Sequence, residues 1–516
     1  MRLFLLAFMA ALASARMADA AERPNIIFLL TDDQRDNTLG AMGHPFVKTP
    51  NLDALMRDSV RFRNAYIATP VCAPSRVSYF TGMPERVHGV GFSSSYQLTE
   101  AQWEQSYPSM LRRAGYHTGF IGKFGVEYYT FKGRAHEKFD FWWGHDGWTK
   151  FLPKKHQSPS TIPYHTAKED IITKIMGEAM ASFLDGAPRD KPFCLSVSFN
   201  VPHGSQTTSM YTGYPEWHQM TRPANENPAL MGSPFYDGLY RDIEIALPPD
   251  TATDPYRFIP KFILDQDKGR RSETYVYNYR IDTCREHHIR YYQTISGLDH
   301  VIGGLLADLR DRGLDQNTVI LYGSDHGLLM GEYGMGGKEL LLDLASKIPC
   351  FIHDPRVPKE RRGQQRDELV SSLDYTRTIL DYADVAAPAH MEGKSLRPMV
   401  EGRETSWRKE LFLESLFTMR DNPFQEGLRT DCWKYIRMYD GIMKFKESDV
   451  DFAGRQPEFE MLFDLNSDAA ERNNLASNPA YAAVIADLRA KTASESVLIN
   501  QRREAFAKEF PPQPRK

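Results

Sequence analysis

The chain alternates between short, unbroken apolar runs and longer segments in which apolar residues recur every three or four positions. Residues 26–30 of "PNIIFLLTDD" form one such run, closed by Asp32 and Asp33. A run of this kind reads as a strand buried on both faces of a parallel sheet. "KTPNLDALMRDSV" then reads as a helix, with Thr49 as N-cap, Pro50 at the first helical position and Leu52, Leu55 and Met56 on one face. "SMLRRAGYHTGFIGKF" is a helix stopped at Gly115, then a strand. "KPFCLSVSFNVPH" and "NTVILYGSDHG" are further strands ending in polar or charged residues. Between them, Ile289, Tyr292, Ile295, Leu298, Ile302, Leu305 and Leu309 recur at helical spacing, and Gly313 ends the helix. "DYTRTILDYADV" is another helix. Strands alternating with helices predict an α/β fold, a mostly parallel central sheet flanked by helices on both faces.

After about residue 401 the pattern changes to short strand-like pieces, "ELFLES", "WKYIRMY" and "EMLFDL", and a helix near 481–498. This predicts a smaller C-terminal α+β subdomain and divides the chain into a leader (1–20), an α/β unit (21–400) and the subdomain (401–516). Length alone would allow roughly three domains. Residues 127–163 and 204–273 follow neither period. Their aromatics, as in "FDFWWGHDGW" and "YTGYPEWHQM", predict ordered, functional loops.

The leader, "MRLFLLAFMAALASARMADA", has a basic start, a short apolar run and a small-residue end, so it reads as a secretory signal peptide. The mature protein is expected to be secreted or periplasmic. No internal apolar run is long enough to span a bilayer. With 41% apolar and 25% charged residues and a net charge of −4, the chain reads as globular, without the basic face that nucleic acid requires. Five cysteines are odd in number and too few for a disulfide scaffold, and the lack of a CxxC pair argues against a structural zinc site. With Cys72 set aside, Cys194, Cys284, Cys350 and Cys432 could pair, and their spacing does not decide it. Oligomeric state has no signal in the sequence.

Asp32 and Asp33 end one predicted strand; Asp325 and His326 end another. Ligands of open α/β sheets bind beyond the carboxyl ends of strands, so these distant pairs can meet. Three carboxylates at one point repel one another unless a cation sits among them. Oxygen ligands suit Ca²⁺ or Mg²⁺; His326 leaves room for a softer divalent metal or an indirect imidazole role. One acidic pair alone would read as solvated turn residues, whereas two pairs after two strands favour a metal. In "TPVCAPSRVSYFTG", Pro74 suits a first helical turn and puts Cys72 at the helix N-terminus. There the free N–H groups and Arg76 favour an anionic sulfur. The alternative is a buried structural cysteine.

"CAPSR" followed by "TG" resembles the signature of type I sulfatases, members of the alkaline phosphatase superfamily. "PNIIFLLTDD", "TPNLDAL", "YGSDHG", Gly337–Lys338, "MEGKSLRPM" and "LFDLNSDAAERNNL" fall in that family's order across nearly the whole mature chain. The Asp-His-Gly version is similar to the iduronate-sulfatase-like branch, where histidine takes the place of the commoner asparagine. The resemblance implies an alkaline-phosphatase-like fold and oxidation of Cys72 to formylglycine by a maturation enzyme. One hydroxyl of the hydrated aldehyde, polarised by the metal, would attack sulfur; the other would lose its proton and expel sulfate. The metal set becomes Asp32, Asp33, Asp325, His326 and the modified Cys72. Arg76 would orient the hydrated aldehyde, Lys123 and Lys338 would hold sulfate oxygens, and His203 would bind sulfate or protonate the leaving alcohol. Read without the resemblance, these are ordinary surface lysines and a loop histidine.

One departure stands out. The family reads Gly-Lys-x-His, or the same with the histidine one place later; here "GKFGV" puts Gly125 and Val126 there. His136 and His145 in the following loop are candidate replacements. The expected activity is hydrolysis of sulfate esters, with a sulfated carbohydrate as substrate. Export supports that preference, as do Trp142, Trp143, Trp148 and Trp217 if they form sugar platforms rather than packing their loops. Two other readings stand beside it: a phosphatase or phosphonate monoester hydrolase of the same superfamily, and a non-catalytic glycan-binding relative.

Overall fold

The computed structural model describes residues 23–515 except 127–130, 132–133, 146, 148, 150, 156–163, 205–206, 208–209, 211–237, 265–283, 404–405 and 419–421. The leader, Trp148 and Trp217 lie outside the described residues. The central sheet has eight strands: β1 (Asn25–Thr31), β2 (Val60–Tyr66), β3 (His117–Lys123), β4 (Phe141–His145), β5 (Phe193–Ser198), β6 (Thr318–Ser324), β7 (Phe351–His353) and β8 (Gln365–Ser371). Their order is β8-β2-β7-β6-β1-β5-β3-β4. Every neighbouring pair is parallel except those of β7, which runs antiparallel to β2 and β6.

The continuous apolar run of β1 is explained by burial on both faces. Ile26, Phe28 and Leu30 join one core; Ile27 and Leu29 join the other. The first core contains α2 (Cys72–Thr81), α3 (Tyr107–Arg113) and α6 (Leu373–Tyr382), through Val77, Leu111 and Ile379. The second contains α1 (Pro50–Arg57), α4 (Ile172–Gly186) and α5 (Cys284–Asp311), through Leu52, Ile175 and Leu298. Each such side chain contributes roughly 1.5–3 kcal/mol when fully buried. Thr49 does sit at the N-cap position of α1, but its hydroxyl donates to Asp53 Oδ1 at 2.9 Å instead of capping the helix.

The C-terminal subdomain is an antiparallel meander of β9 (Glu410–Ser415), β10 (Phe424–Thr430), β11 (Trp433–Tyr439) and β12 (Phe459–Asp464), with α7 (Ala482–Glu509) on one face. Its other face shares a core with Leu340, Leu341 and Leu342, the residues just after Lys338. Five strands escaped the sequence pattern: β2 and β8 mix apolar residues with charged or polar ones and fall outside the apolar runs that predict strands, and three more are irregular. β7 has only three residues, β10 is interrupted by Gly427 and charged residues, and β4 is the aromatic "FWWGH" of a segment expected to be loop. Helix α7 also runs eleven residues past its expected end at 498. All five cysteines are free thiols. Among the described residues no helix is long and apolar enough to cross a membrane.

Candidate active site

The parallel register of β1 and β6 sets Thr31 beside Ser324, so Asp32–Asp33 and Asp325–His326 leave the same sheet edge side by side. Successive side chains of a strand point to opposite faces. Asp33 breaks that alternation with a left-handed backbone (φ 67°), a conformation aspartate tolerates better than most residues. Its N–H donates to Asp325 Oδ1 at 3.1 Å and ties the two strand ends together. Ligand atoms of Asp32, Asp33, Asp325 and His326 lie within 4.8 Å of one another, and all four residues are buried. Cys72 is not part of that quartet.

Three cationic side chains converge on the three carboxylates. Lys123, the last residue of β3, donates from Nζ to Asp32 Oδ2 at 2.7 Å. Lys338 Nζ donates to Asp33 Oδ1 at 2.7 Å. Arg76 donates to Asp325 Oδ2 from Nε (3.0 Å) and Nη2 (2.8 Å). Charge alone therefore does not call for an ion here. The atoms left without hydrogen bonds do: Asp32 Oδ1 and His326 Nε2 are buried and make none among the described residues, the nitrogen lying 3.4 Å from Asp325 Oδ1. Such atoms are rare in native structures, and a carboxylate oxygen beside an imidazole nitrogen is a metal-type donor set. The quartet thus fits a divalent cation.

Electrostatics sort these groups. Burial pushes Asp32 up, but Lys123, His203, Arg76 and Lys338 together hold it well below the usual carboxylate range. Burial raises Asp33 against Lys338 and His326. Burial and the charge of Asp32 push Asp325 up to about 6. Burial and Lys338 bring His326 down to about 3, which keeps the imidazole neutral, the form that ligates metals.

Cys72 is the first residue of α2, a helix buried along its whole length. Two bonds fasten that helix to the end of β6. Ser75 Oγ donates to the Asp325 carbonyl at 2.7 Å, and the Tyr79 hydroxyl donates to the Ser324 carbonyl at 2.9 Å. Arg76, one turn beyond Cys72 and in electrostatic reach of its sulfur, also donates from Nη1 to the Lys123 carbonyl (2.8 Å) and to Ser198 Oγ. Its donors are thus spent on orientation. Tyr79 and Ser198 carry no motif that would have marked them as anchors in the sequence, and Ser75, though inside "CAPSR", has no role assigned there.

His203 follows β5, with Nε2 3.9 Å from Asp33 Oδ2 and a side chain 20% exposed. The Lys338 side chain is 8% exposed. Burial, and the charges of Lys338, Lys123 and Arg76, hold His203 well below the ordinary histidine range.

At the first of the two expected positions the missing histidine has a structural cause. Gly125 has φ +70°, and a Cβ built there would stand 2.3 Å from Arg76 Cδ, so the path of Arg76 occupies the space of any side chain. Of the two candidate replacements, His136 is exposed on a short 3₁₀ turn. His145 is buried in β4, in register beside Lys123, with Nε2 3.0 Å from Asn200 Oδ1. The expectation of a sugar platform fails for Trp142, which stacks on Phe120 (5.3 Å between centroids) and packs against Phe124 and Phe139. Trp143 packs against the second core.

The chain matches the family profile "Sulfatase" over residues 24–385 and "N-sulphoglucosamine sulphohydrolase, C-terminal" over residues 331–497. It is 27% identical over 500 residues to an arylsulfatase of Clostridium perfringens, covering 89% of this chain and 91% of the relative. It is 25% identical over 505 residues to an N-acetylglucosamine-6-O-sulfatase of Bacteroides thetaiotaomicron, covering 90% and 84%. The solved structure of a phosphonate monoester hydrolase of Agrobacterium radiobacter shares the fold, with a TM-score of 0.69 at 20% identity over 96% of this chain and all of the other. With a family match over residues 24–385, on a fold and an edge cluster of the kind described, the chain belongs to the sulfatase family.

Proposed function

We propose that this sulfatase is exported and hydrolyses sulfate esters of carbohydrate. It would use a formylglycine made from Cys72 and one divalent cation, Ca²⁺, held by Asp32, Asp33, Asp325 and His326. One observation carries the reading: the buried Cys72 helix is pinned to the strand end that bears Asp325 and His326, while Lys123, Lys338 and Arg76 meet the carboxylates at the same edge. The length of the match to an N-acetylglucosamine-6-O-sulfatase supports the sugar substrate. The leader pattern of residues 1–20 supports export.

When bound, the cation supplies positive charge beside the reacting oxygens, and the formylglycine, hydrated, supplies a nucleophile that a thiol does not. The chain's own side chains do the rest. An ammonium group has three N–H donors. Lys123 meets Asp32 and Lys338 meets Asp33, and both ammonium groups would turn further N–H donors to sulfate oxygens. Arg76 offsets part of the burial that raises Asp325 and holds the Lys123 backbone in place. His203, the most open of these residues, stands where the alcohol leaves. An anionic sulfate ester among the three cations offsets the charges that depress His203, so substrate binding raises its basicity. Because α2 is buried throughout, the maturation enzyme must reach Cys72 before the chain folds.

His203→Ala is expected to lower turnover by ~10²–10⁴-fold on a sulfated sugar, the usual cost of losing a general acid or base. The loss is smaller on an aryl sulfate, whose phenolate leaves without a proton. Steady-state kinetics on both esters check this; equal losses would make His203 a sulfate-binding or structural residue. The reading as a whole is tested by screening purified, aldehyde-bearing enzyme on sulfated mono- and oligosaccharides, with an aryl phosphonate monoester alongside. The sulfated sugars are expected to give the highest kcat/KM, and preference for the phosphonate would overturn the assignment.

A further inference from the structure

Lys338 stands in a turn whose backbone is unusual on both sides. Gly337 has φ +88°, which a residue without a side chain adopts freely, but Glu339 also sits in the left-handed region, at φ +74°. For a residue with a Cβ that conformation is unfavourable, and it persists only where the surroundings hold it. What holds it here belongs to the C-terminal subdomain.

Alternation along β9 puts Leu411, Leu413 and Ser415 on one face. The two leucines share a core with Leu340, Leu341 and Leu342. Ser415, fully buried, ends that apolar row with a hydroxyl. Its cross-strand partner in β10 is Gln425, also fully buried. Both side chains reach one atom: the Ser415 hydroxyl donates to the Glu339 carbonyl at 2.8 Å, and Gln425 Nε2 donates to the same carbonyl at 2.9 Å. Gln425 Oε1 in turn accepts from Leu341 N at 3.2 Å. The amide serves both groups only in this orientation, because one contact needs a donor and the other an acceptor. Asn422 Nδ2 stands farther from the Glu339 carbonyl, at 3.5 Å. On the other side, Glu339 N donates at 3.2 Å to the carbonyl of Pro70, in the loop that leads to Cys72. The turn is thus clamped between the subdomain and the start of the Cys72 helix.

Buried polar side chains need partners. Ser415 and Gln425 find theirs in the backbone beside Lys338, whose Nζ reaches Asp33 Oδ1 at 2.7 Å. We propose that Gln425 and Ser415 are positioning residues for sulfate-ester hydrolysis: by holding Glu339 in its left-handed conformation they aim the Lys338 ammonium group at the sulfate. The subdomain supplies none of the quartet and none of the three cations around it, and it acts on the reaction through this turn. The proposal rests on the reading of Lys338 as a sulfate ligand.

The test is a double-mutant cycle on an aryl sulfate, whose hydrolysis needs no sugar contact. Gln425→Met keeps the length of the side chain and loses both hydrogen bonds. It is expected to lower kcat/KM about 10–100-fold when Lys338 is present and less than about twofold in the Lys338→Ala background, the non-additivity of residues that act on one contact. Ser415→Ala removes one donor and leaves Gln425 in place. It is expected to show the same coupling with a smaller loss, about 3–10-fold, and it carries the test if thermal melting shows that Gln425→Met does not fold. A merely structural role would give equal losses in both backgrounds; that result, or no loss in either, would overturn the positioning role. Wild-type kcat/KM in Lys338→Ala alone would instead overturn the sulfate contact on which the proposal stands.

Discussion

Replacing Cys72 with serine leaves substrate binding in place and stops turnover, with kcat falling by roughly 10⁴–10⁶-fold, the scale seen when a catalytic nucleophile is removed. The substitution is nearly isosteric and does not disturb what holds the helix: the Ser75 and Tyr79 bonds to β6 involve neither the sulfur nor its carbon. Arg76 keeps its contacts with Asp325 and Lys123 for the same reason. A serine hydroxyl can accept one sulfuryl group. It has no second hydroxyl on the same carbon with which to expel sulfate, so the chain stalls as a sulfate ester after one event. Binding of a sulfated sugar, followed by mass analysis of the peptide after incubation, separates this from unfolding. Multiple turnovers by the Cys72→Ser protein would remove residue 72 from the chemistry.

Asp325→Ala loses the cation and at least ~10³-fold in activity, because a bound metal supplies several kcal/mol of transition-state stabilisation. The same change strips Arg76, a fully buried guanidinium, of its closest partner. Breaking a buried pair costs about 3–5 kcal/mol. The lower end is expected here, since Asp32 Oδ2 remains 3.5 Å from Arg76 Nη2. Asp325→Asn separates the two effects: its amide oxygen still accepts from Arg76, so it melts closer to wild type while losing the metal. Metal analysis and thermal melting of both variants check this. Full metal occupancy in Asp325→Ala would refute the assignment of that carboxylate.

The strand-end carboxylates were legible because a parallel sheet has one geometry. Apolar runs buried on both faces must end at a common edge, and their polar termini must meet there. The helix of Cys72 was legible from Pro74. What the residues do to one another was not. The pairing of Lys123 with Asp32 and Lys338 with Asp33 links β3, β1 and the turn after β6, and no spacing along the chain encodes a contact across ninety or three hundred positions. Gly125 looked like a missing histidine; only the packed structure shows Arg76 filling its place. Trp142 and Trp143 looked like loop aromatics because β4 is an edge strand of five residues, too short for a period to show. Hydrophobic content alone could not tell a sugar platform from the core packing that Trp142 adopts.

The central claim is that residue 72 acts as an aldehyde. Peptide mass spectrometry of purified protein with full activity on a sulfated sugar tests it most directly. The peptide containing "TPVCAPSR" is expected to carry formylglycine in proportion to the activity, whereas an unmodified Cys72 thiol throughout a fully active sample would contradict the account.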